Sequence, residues 1–313
     1  MPRRVTNRNF TRAESAHHFA AQARRTPVNR FHHEREPLVE SSTVRPDPDV
    51  LHSHAVVDVT ERATVSVAPS DEYQADALID EAHYVLAVVG PGESVTVANA
   101  DLTRGTHLYV LGRTGVEGGL QRANELQDAR RIDAATSYPY RARSYDDASR
   151  RSVAAGLVRR ADDVDLTMAF GTRRDTDRDA HRVGTAFGWG SLPAEHGVYF
   201  EAAATSSGCD IWTFEPPPVD PVGGSYSVLK FDEAGHLDPV RSGYAGRDLI
   251  RNGDGSISIW FGDASCAARP NVIPAAPGER FRYAMRIRRP LGVDRARAYV
   301  GALRAQRLET VIT

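Results

Sequence analysis

The sequence contains almost no lysine. Of its 39 lysine and arginine residues, Lys230 is the only lysine. A Schiff base to a carbonyl substrate or to pyridoxal phosphate needs a lysine amine, so that chemistry would depend on this one residue. Because Lys230 lies in an alternating stretch, Ser225 to Asp232, we expect it on the solvated face of a strand. Enzymology based on pyridoxal phosphate is therefore close to excluded.

The sequence also has few cysteines, little net charge and only short apolar runs. Cys209 and Cys266 are too few for a disulfide framework, and neither belongs to a Cys-x-x-Cys motif. A net charge of −2 provides no long-range field for nucleic acid or anionic lipid, so we expect neither as a partner. The longest apolar run, Tyr84 to Val89, is far shorter than the roughly 20 residues of a membrane-spanning helix. The N-terminal segment shows no signal-peptide pattern, and the expected location is the cytoplasm.

Short β-branched segments separated by turn residues make up most of the chain. Their spacing of roughly 8–12 residues is typical of a β-sandwich or barrel. Two sets are predicted, at 55–60, 63–68, 84–89, 94–98 and 107–111, and at 198–203, 211–214, 226–231, 256–261 and 281–287. The fold class predicted is mainly β with helices, an α+β multidomain protein with two β-sandwich or jelly-roll-like domains joined by a helical connector.

Helical patterns occur at the start, in the middle and at the end of the chain. The first begins at a capping-box pattern, Thr11-x-x-Glu14, and others are predicted at 120–132, 146–160 and 294–308. The predicted domains are an N-terminal helix with a β domain over 1–140, a helical connector over 141–190, and a jelly-roll domain with a C-terminal helix over 191–313. The apolar stripe of that last helix makes a subunit contact plausible, which favours a homo-oligomer; its members are Ala296, Val300 and Leu303.

A His-x-His motif is the most informative local feature. If Leu51 to Asp58 is a strand, His52, His54 and Asp58 point to one face. Two imidazoles and a carboxylate suit Zn²⁺ or Fe(II). The alternative is two hydrogen-bonded histidines at the start of a strand. Glu34 is a further candidate ligand, although its position beside Arg35 is more typical of a solvated loop.

A second histidine lies among acidic residues. The segment Asp80-Glu-Ala-His-Tyr84 places His83 and a phenol beside carboxylates. A histidine oriented by a carboxylate is the smallest set of groups that can act as a general acid or base at neutral pH. The equally weighted alternative is a structural histidine at the start of a strand.

An ordered set of segments resembles a bacterial family that pairs two domains of unknown function, DUF-1254 followed by DUF-1214. These segments are Val5 to Ser15, Val28 to Pro37, Ala55 to Asp58, Leu126 to Asp128, Phe170-Gly171, Gly184 to Pro193, Asp254 to Ser258, Arg269 to Asn271 and Met285 to Pro290. The resemblance implies two β-rich domains, the second jelly-roll-like, joined by helices and assembled as an oligomer. It implies no particular reaction.

This chain departs from that family at the histidines. Where relatives carry Asn-x-Asp-Thr-Leu-Tyr-Ser, the chain has Asp47-Pro-Asp-Val-Leu-His-Ser53, so Asp49 matches and His52 does not. His54 is also unusual, whereas His83-Tyr84 matches one subfamily. A changed set of polar residues implies a changed ligand or lost activity.

Three functional hypotheses follow. The first is a hydrolase, lyase or cyclase without a redox cofactor, with Asp49, His83 and Tyr84 as acid–base groups in a cleft between the two β domains. Its predicted substrate-binding residues are Arg45, Tyr244, Arg247 and Asn271, the arginines holding an anionic group of a small-molecule substrate. The second is a Zn- or Fe-dependent enzyme that uses His52, His54 and Asp58. The third is a non-catalytic jelly-roll binding or assembly module.

Overall fold

The computed structural model describes residues 1–37, 45–237, 242–263, 266 and 268–310. The chain divides into two compact units. Unit 1 comprises Met1–Glu36 and Val50–His196, and unit 2 comprises Pro37–Asp49 and Gly197–Thr313. The helices assigned from the sequence to a connector thus belong to unit 1, and a short segment before Val50 belongs to unit 2.

Unit 1 contains four α-helices and eight strands among the described residues. The helices are α1 (Phe10–Arg25), α2 (Leu120–Asp128), α3 (Asp147–Val158) and α4 (Arg178–Phe187). The strands are β1 (His32–His33), β2 (Val50–Asp58), β3 (Arg62–Ser66), β4 (Gln74–Asp80), β5 (Val85–Val89), β6 (Ser94–Ala98), β7 (His107–Gly115) and β8 (Arg131–Ala134). The mainly β class predicted from the sequence is confirmed.

A five-stranded antiparallel sheet, in the order β1-β2-β7-β4-β5, has an apolar core on each face. One face packs against the three-stranded sheet β6-β3-β8 through small and β-branched residues such as Val57, Val65 and Val110. The other face carries Tyr109 and Leu111, which pack with Phe19 of α1. Alternation along β2 and β7 therefore assigns each side chain to one of the two cores.

The first helix is confirmed, but its predicted capping box is wrong. Asn9 is the N-cap residue of α1, and no side-chain hydrogen bond caps the helix there. Glu14 instead pairs with Arg150 of α3 at 2.6 Å. Because the helix begins at Phe10, Glu14 lies beyond its first turn, where a carboxylate can form a helix–helix ion pair but cannot close a capping box.

Unit 1 contains a fully buried ion pair. Asp76 of β4 accepts hydrogen bonds from Nε and Nη2 of Arg130 at 2.9–3.0 Å, and neither side chain is exposed to solvent. Gly112 allows this arrangement, because a Cβ at that position would lie 2.8 Å from the Asp76 carboxylate. Burying either charge without the other would be strongly unfavourable.

Unit 2 is a two-sheet sandwich with one α-helix, α5 (Val293–Ala305), among the described residues. Its strands are β9 (Gly197–Thr205), β10 (Cys209–Phe214), β11 (Ser225–Asp232), β12 (Gly243–Ala245), β13 (Ile257–Gly262), β14 (Val272–Pro274), β15 (Arg280–Arg288) and β16 (Glu309–Thr310). They form two four-stranded sheets, in the orders β14-β13-β10-β16 and β12-β11-β15-β9.

Aromatic rings join the two sheets of unit 2. Trp212 on β10 contacts Phe200 on β9 and Tyr283 on β15, with ring centroids 5.5 and 5.0 Å apart. The apolar stripe of α5 is buried as well, with Ala296 and Val300 at most 2% exposed. Because the stripe lies inside the unit, it does not support the subunit contact expected from the sequence.

A disulfide joins Cys209 to Cys266, whose Cα atoms are 5.6 Å apart. The sequence reasoning treated two cysteines as too few for a disulfide framework, but one pair suffices for a single crosslink. Structural disulfides are typical of oxidising compartments. Within the described residues, no helix combines the length and apolar character needed to cross a membrane.

Replacing Asp76 by asparagine should lower the free energy of unfolding by about 3–5 kcal/mol, because Arg130 would remain buried without a counter-charge. Asp128→Asn is the matched control, since its partner Arg35 is 43% exposed and Asp128 is 64% exposed. The control should change stability by less than about 1 kcal/mol. Urea unfolding followed by circular dichroism measures both, and equal effects would contradict the assignment.

Reduction of the disulfide should destabilise unit 2. The crosslinked residues are 57 positions apart, and closing a loop of this size typically stabilises a fold by about 2–4 kcal/mol. We expect a lower urea midpoint in the presence of reductant for the natural sequence, and no effect of reductant on a Cys209→Ser, Cys266→Ser double variant. Alkylation of denatured, unreduced protein should label neither cysteine; labelling of both would show that the disulfide is not formed.

Candidate functional site

Polar side chains interrupt the apolar face of the five-stranded sheet that carries Tyr109. His52 and His54 on β2 point to this face, as do Tyr109 and Arg113 on β7. His52 is directly opposite Arg113 in the strand register, and Tyr109 is two positions from the residue opposite His54. Neighbours at these offsets are within reach of long and aromatic side chains.

Glu34, His54 and Tyr109 form a chain of polar contacts. The short strand β1 pairs with β2, and the amide of Glu34 donates a hydrogen bond to the carbonyl oxygen of His52 at 2.9 Å. This places Glu34 Oε1 3.4 Å from Nε2 of His54, whose Nδ1 lies 3.0 Å from the Tyr109 hydroxyl. Glu34 Oε2 is 3.9 Å from Nδ1 of His52.

The protein environment determines the charge of Glu34 and of Tyr109, which are the two ends of this series of polar contacts. Burial acts to raise the pKa of the Glu34 carboxyl, but contact with His54 and the positive charges of His54, His52 and Arg25 outweigh it and hold the pKa below its usual value. Burial, with the nearby Glu34 charge, raises the pKa of Tyr109. At neutral pH Glu34 is therefore a carboxylate and Tyr109 a neutral phenol.

This arrangement has the components of a proton relay. A carboxylate beside an imidazole can orient the ring and stabilise its protonated form, and the other ring nitrogen can exchange a proton with the phenol. Oε2 of Glu34 is buried and has no hydrogen-bond partner among the described residues, and the buried Nε2 of His54 has only its 3.4 Å ionic contact with Glu34 Oε1. Such atoms are uncommon in folded proteins and call for an explanation.

The sequence reasoning missed most of this group. Glu34 was expected in a solvated loop, yet its side chain is only 14% exposed. Tyr109 and Arg113 lie in or next to a predicted strand but were not considered as site residues. Their spacing of four residues, an even number, would have placed both on one face of a strand from His107 to Gly115, and this is the signal that could have found them.

Asp58 lies at the far end of β2 from His52. Its carboxylate accepts hydrogen bonds from the amide and hydroxyl of Thr60 at 2.9 and 2.6 Å and from the amide of Tyr138 at 2.6 Å. Burial acts to raise the pKa of Asp58, but these hydrogen bonds outweigh it and lower the pKa. Among the described residues, no group of three or more His, Cys, Asp or Glu side chains is arranged to hold a metal ion.

His83 is completely buried, and both of its ring nitrogens are bonded. The Thr185 hydroxyl donates to the carbonyl oxygen of His181, so it accepts from Nδ1 of His83 at 2.8 Å. Nε2 accepts from the amide of Gly190 at 2.9 Å. A catalytic role for His83 would require one of these bonds to break. Tyr84 is half-buried and stacks on His181 at 4.4 Å.

Gly190 connects His83 to the site on the sheet, the group formed by Glu34, His52, His54, Tyr109 and Arg113. Its carbonyl oxygen accepts a hydrogen bond from Nη2 of Arg113 at 2.9 Å. Gly190 has a φ of +82°, and a Cβ there would lie 2.5 Å from Leu111. The turn thus depends on glycine and on His83, which makes His83 a positioning residue for Arg113 in this geometry.

The remaining predicted residues belong to unit 2, and several are occupied by ion pairs. Asp49 lies 3.1 Å from Nη2 of Arg288. Arg45 forms a two-point ion pair with Glu201, from Nε at 2.7 Å and Nη2 at 3.1 Å. Burial acts to raise the pKa of Glu201, but its hydrogen bond with Arg45 and the surrounding arginine charges outweigh it and lower the pKa.

The other three predicted substrate contacts are Tyr244, Asn271 and Arg247. The Tyr244 hydroxyl donates to the carbonyl oxygen of Val272 at 2.9 Å. Asn271 is buried, and its amide makes three hydrogen bonds of 2.7–3.0 Å to backbone atoms. Arg247 is exposed and lies 3.7 Å from Asp248. The Asn271 side chain thus holds two backbone segments of unit 2 together. Of the three residues, Arg247 is the one that faces solvent.

His83 should make folding stability depend on pH. Burial and the nearby His181 and His18 charges hold its pKa in the folded state well below its usual value. The unfolded chain therefore takes up more protons as the pH falls through about 6.5, and stability should decline by up to about 1.4 kcal/mol per pH unit for this histidine.

The test compares natural protein with His83→Asn, because asparagine tolerates the φ of +67° at this position. Urea unfolding between about pH 5 and pH 8 should show a steeper loss of stability in the natural protein than in the variant. Parallel curves would show that His83 does not titrate as the buried geometry requires.

The chain matches no protein-family model and no curated protein. It is similar in structure to the VPA0106 protein from Vibrio parahaemolyticus, with a TM-score of 0.68, 17% identity, and coverage of 92% of this chain and 94% of that one. An uncharacterized protein from Burkholderia cenocepacia matches with a TM-score of 0.52 and 10% identity, over 91% of this chain and 84% of that one. At these identities the likeness shows a shared fold among bacterial proteins.

Proposed function

We propose that this protein is a small-molecule enzyme that performs acid–base chemistry without a redox cofactor. The single observation that carries the proposal is the largely buried series of contacts from Glu34 through His54 to the Tyr109 hydroxyl. The reaction class is the one expected from the sequence, a hydrolysis, elimination or cyclisation. The groups differ, because the chemistry is assigned to the sheet of unit 1.

Tyr109 is the group that exchanges a proton with the substrate. When its oxygen takes a proton from the substrate, its own hydroxyl proton passes to Nδ1 of His54, and the imidazolium that forms is stabilised by the Glu34 carboxylate. The reverse transfer returns a proton to a leaving group or an anionic intermediate. No electrons are transferred, and the net proton count is unchanged over one cycle.

His52 supports the carboxylate. Its Nδ1 faces the second oxygen of Glu34, and its positive charge lowers the Glu34 pKa, although less than that of His54. A carboxylate placed between two imidazoles stays ionised even though it is largely buried. This keeps Glu34 available to stabilise a protonated His54 over the neutral pH range.

Family membership and cellular location are further parts of this proposal. The ordered sequence segments support a divergent relationship to the DUF-1254 and DUF-1214 family, and the proteins of similar fold are likewise bacterial. The disulfide between Cys209 and Cys266 favours an oxidising compartment over the cytoplasm expected from the sequence. A homo-oligomer stays a prediction, to be tested by light scattering of the purified protein.

The test is a turnover screen with ester, lactone and β-elimination substrates, followed by single substitutions. Tyr109→Phe and Glu34→Gln should each lower kcat by about 10²- to 10⁴-fold, because each removes one end of the proton relay. Tyr138→Phe and Glu36→Gln are matched controls, since both residues are exposed, and they should retain full activity.

Three outcomes would overturn the relay. One is full turnover by the Tyr109→Phe variant on a substrate that the natural protein converts. The second is stoichiometric Zn or Fe in the purified protein that is lost on changing His52 and His54 to alanine, which would select the metal-dependent alternative. The third is ligand binding without turnover of any substrate class, which would favour the non-catalytic binding module.

A further inference from the structure

Arg113 is half-buried and has no carboxylate partner among the residues that the structure describes. Its Nη2 donates to the carbonyl oxygen of Gly190 at 2.9 Å, while its Nη1 is buried and has no hydrogen-bond partner among the described residues. By contrast, Arg130 pairs with Asp76, and Arg150 pairs with Glu14. A guanidinium is always charged, and leaving one of its donors buried and unused is costly.

We propose that Arg113 binds the carboxylate of the substrate, so that the enzyme acts on a small organic acid. The role of this carboxylate site in catalysis rests on the proposed function. Binding of the acid does not, because it can be measured without turnover. The hydrogen bond to Gly190 fixes the plane of the guanidinium, and Nη1 is presented on the same sheet face as the relay. Arginine is well suited to holding a carboxylate in a fixed orientation.

A carboxylate fits this position better than a phosphate. Glu34 is ionised and lies beside His52, the residue directly opposite Arg113 in the register. A second anion close to Glu34 is repelled, and the repulsion grows with the charge of the ligand. One guanidinium offsets a single negative charge, so a monoanion is accommodated where a dianion is disfavoured.

The strand geometry also limits the size of the ligand. Arg113 and Tyr109 are four residues apart on β7, which separates their Cα atoms by about 13 Å. A ligand that contacts both side chains therefore carries its carboxylate at one end and its reacting group at the other. Hydrogen-bond contacts of about 3 Å at each end leave roughly 7 Å for the ligand itself, which is the length of an extended 3-phenylpropionate. The ring of Trp189 beside Tyr109 offers an apolar wall, with ring centroids 4.9 Å apart.

The experiment measures binding of phenylacetate and 3-phenylpropionate by ligand-observed NMR, each against its neutral amide. We expect the acids to bind with dissociation constants below about 1 mM and the amides at least tenfold more weakly. Arg113→Gln should weaken binding of the acids by about 10- to 100-fold, because it removes a charge-assisted hydrogen bond. The matched control is Arg122→Gln, an exposed arginine on α2 that should leave binding unchanged.

The outcomes separate this inference from the proposed relay. The Tyr109→Phe variant should still bind the acids, because Tyr109 is not the charged contact. If all variants bind the acids but the natural protein turns over no substrate, the carboxylate site is supported and the proposed relay is contradicted. Equal binding of acids and amides, unchanged binding in Arg113→Gln, or no binding of either acid to the natural protein would each overturn the carboxylate site. Thermal unfolding of Arg113→Gln confirms that the variant is folded.

Discussion

The antiparallel register of β2 with β7 is the constraint on which unit 1 depends. It pairs nine consecutive residues of β2 with nine of β7, and each strand contributes to two different cores. A slip of one residue would move every side chain to the opposite face. The same register brings His54 within 3.0 Å of Tyr109 and places His52 opposite Arg113, so the stability of the sheet and the geometry of the site have one origin.

The buried polar groups of unit 1 are of two kinds, those with complete sets of hydrogen bonds and those without. Asp76 and Arg130 neutralise one another completely, and His83 uses both ring nitrogens within the protein. In the site on the sheet, by contrast, atoms of Glu34 and His54 are buried without hydrogen-bond partners among the described residues. Fully satisfied groups give the fold a unique packing, whereas an unpaired buried polar group is costly. Atoms of Gln74, Thr114, Asn124 and Thr136 in unit 1 are also buried without a hydrogen-bond partner among the described residues. The site on the sheet differs from these because its atoms belong to an acid and a base that contact each other.

Sequence reasoning was most successful where periodicity determines structure. The helix at α1 and most strands of both units were predicted, but β4 was missed because its seven residues are all buried and include two aspartates, which break the expected alternation. Lys230 was expected in solvent and is instead 2% exposed, bonded to the carbonyl oxygen of Pro274 and paired with Glu279. A buried polar group depends on a partner distant in sequence, which no local pattern reveals.

The candidate site could be predicted only in part for the same reason. His52 and His54 were recognised because they are adjacent in sequence, but Glu34 reaches them through the pairing of β1 with β2. The family that the sequence resembles has tyrosine where this chain has His52, and His54 is unusual among its members. The resemblance therefore assigns no role to either histidine. The sheet sets the positions of the side chains, and in the proposed relay the identity of these residues decides which protons can move between them.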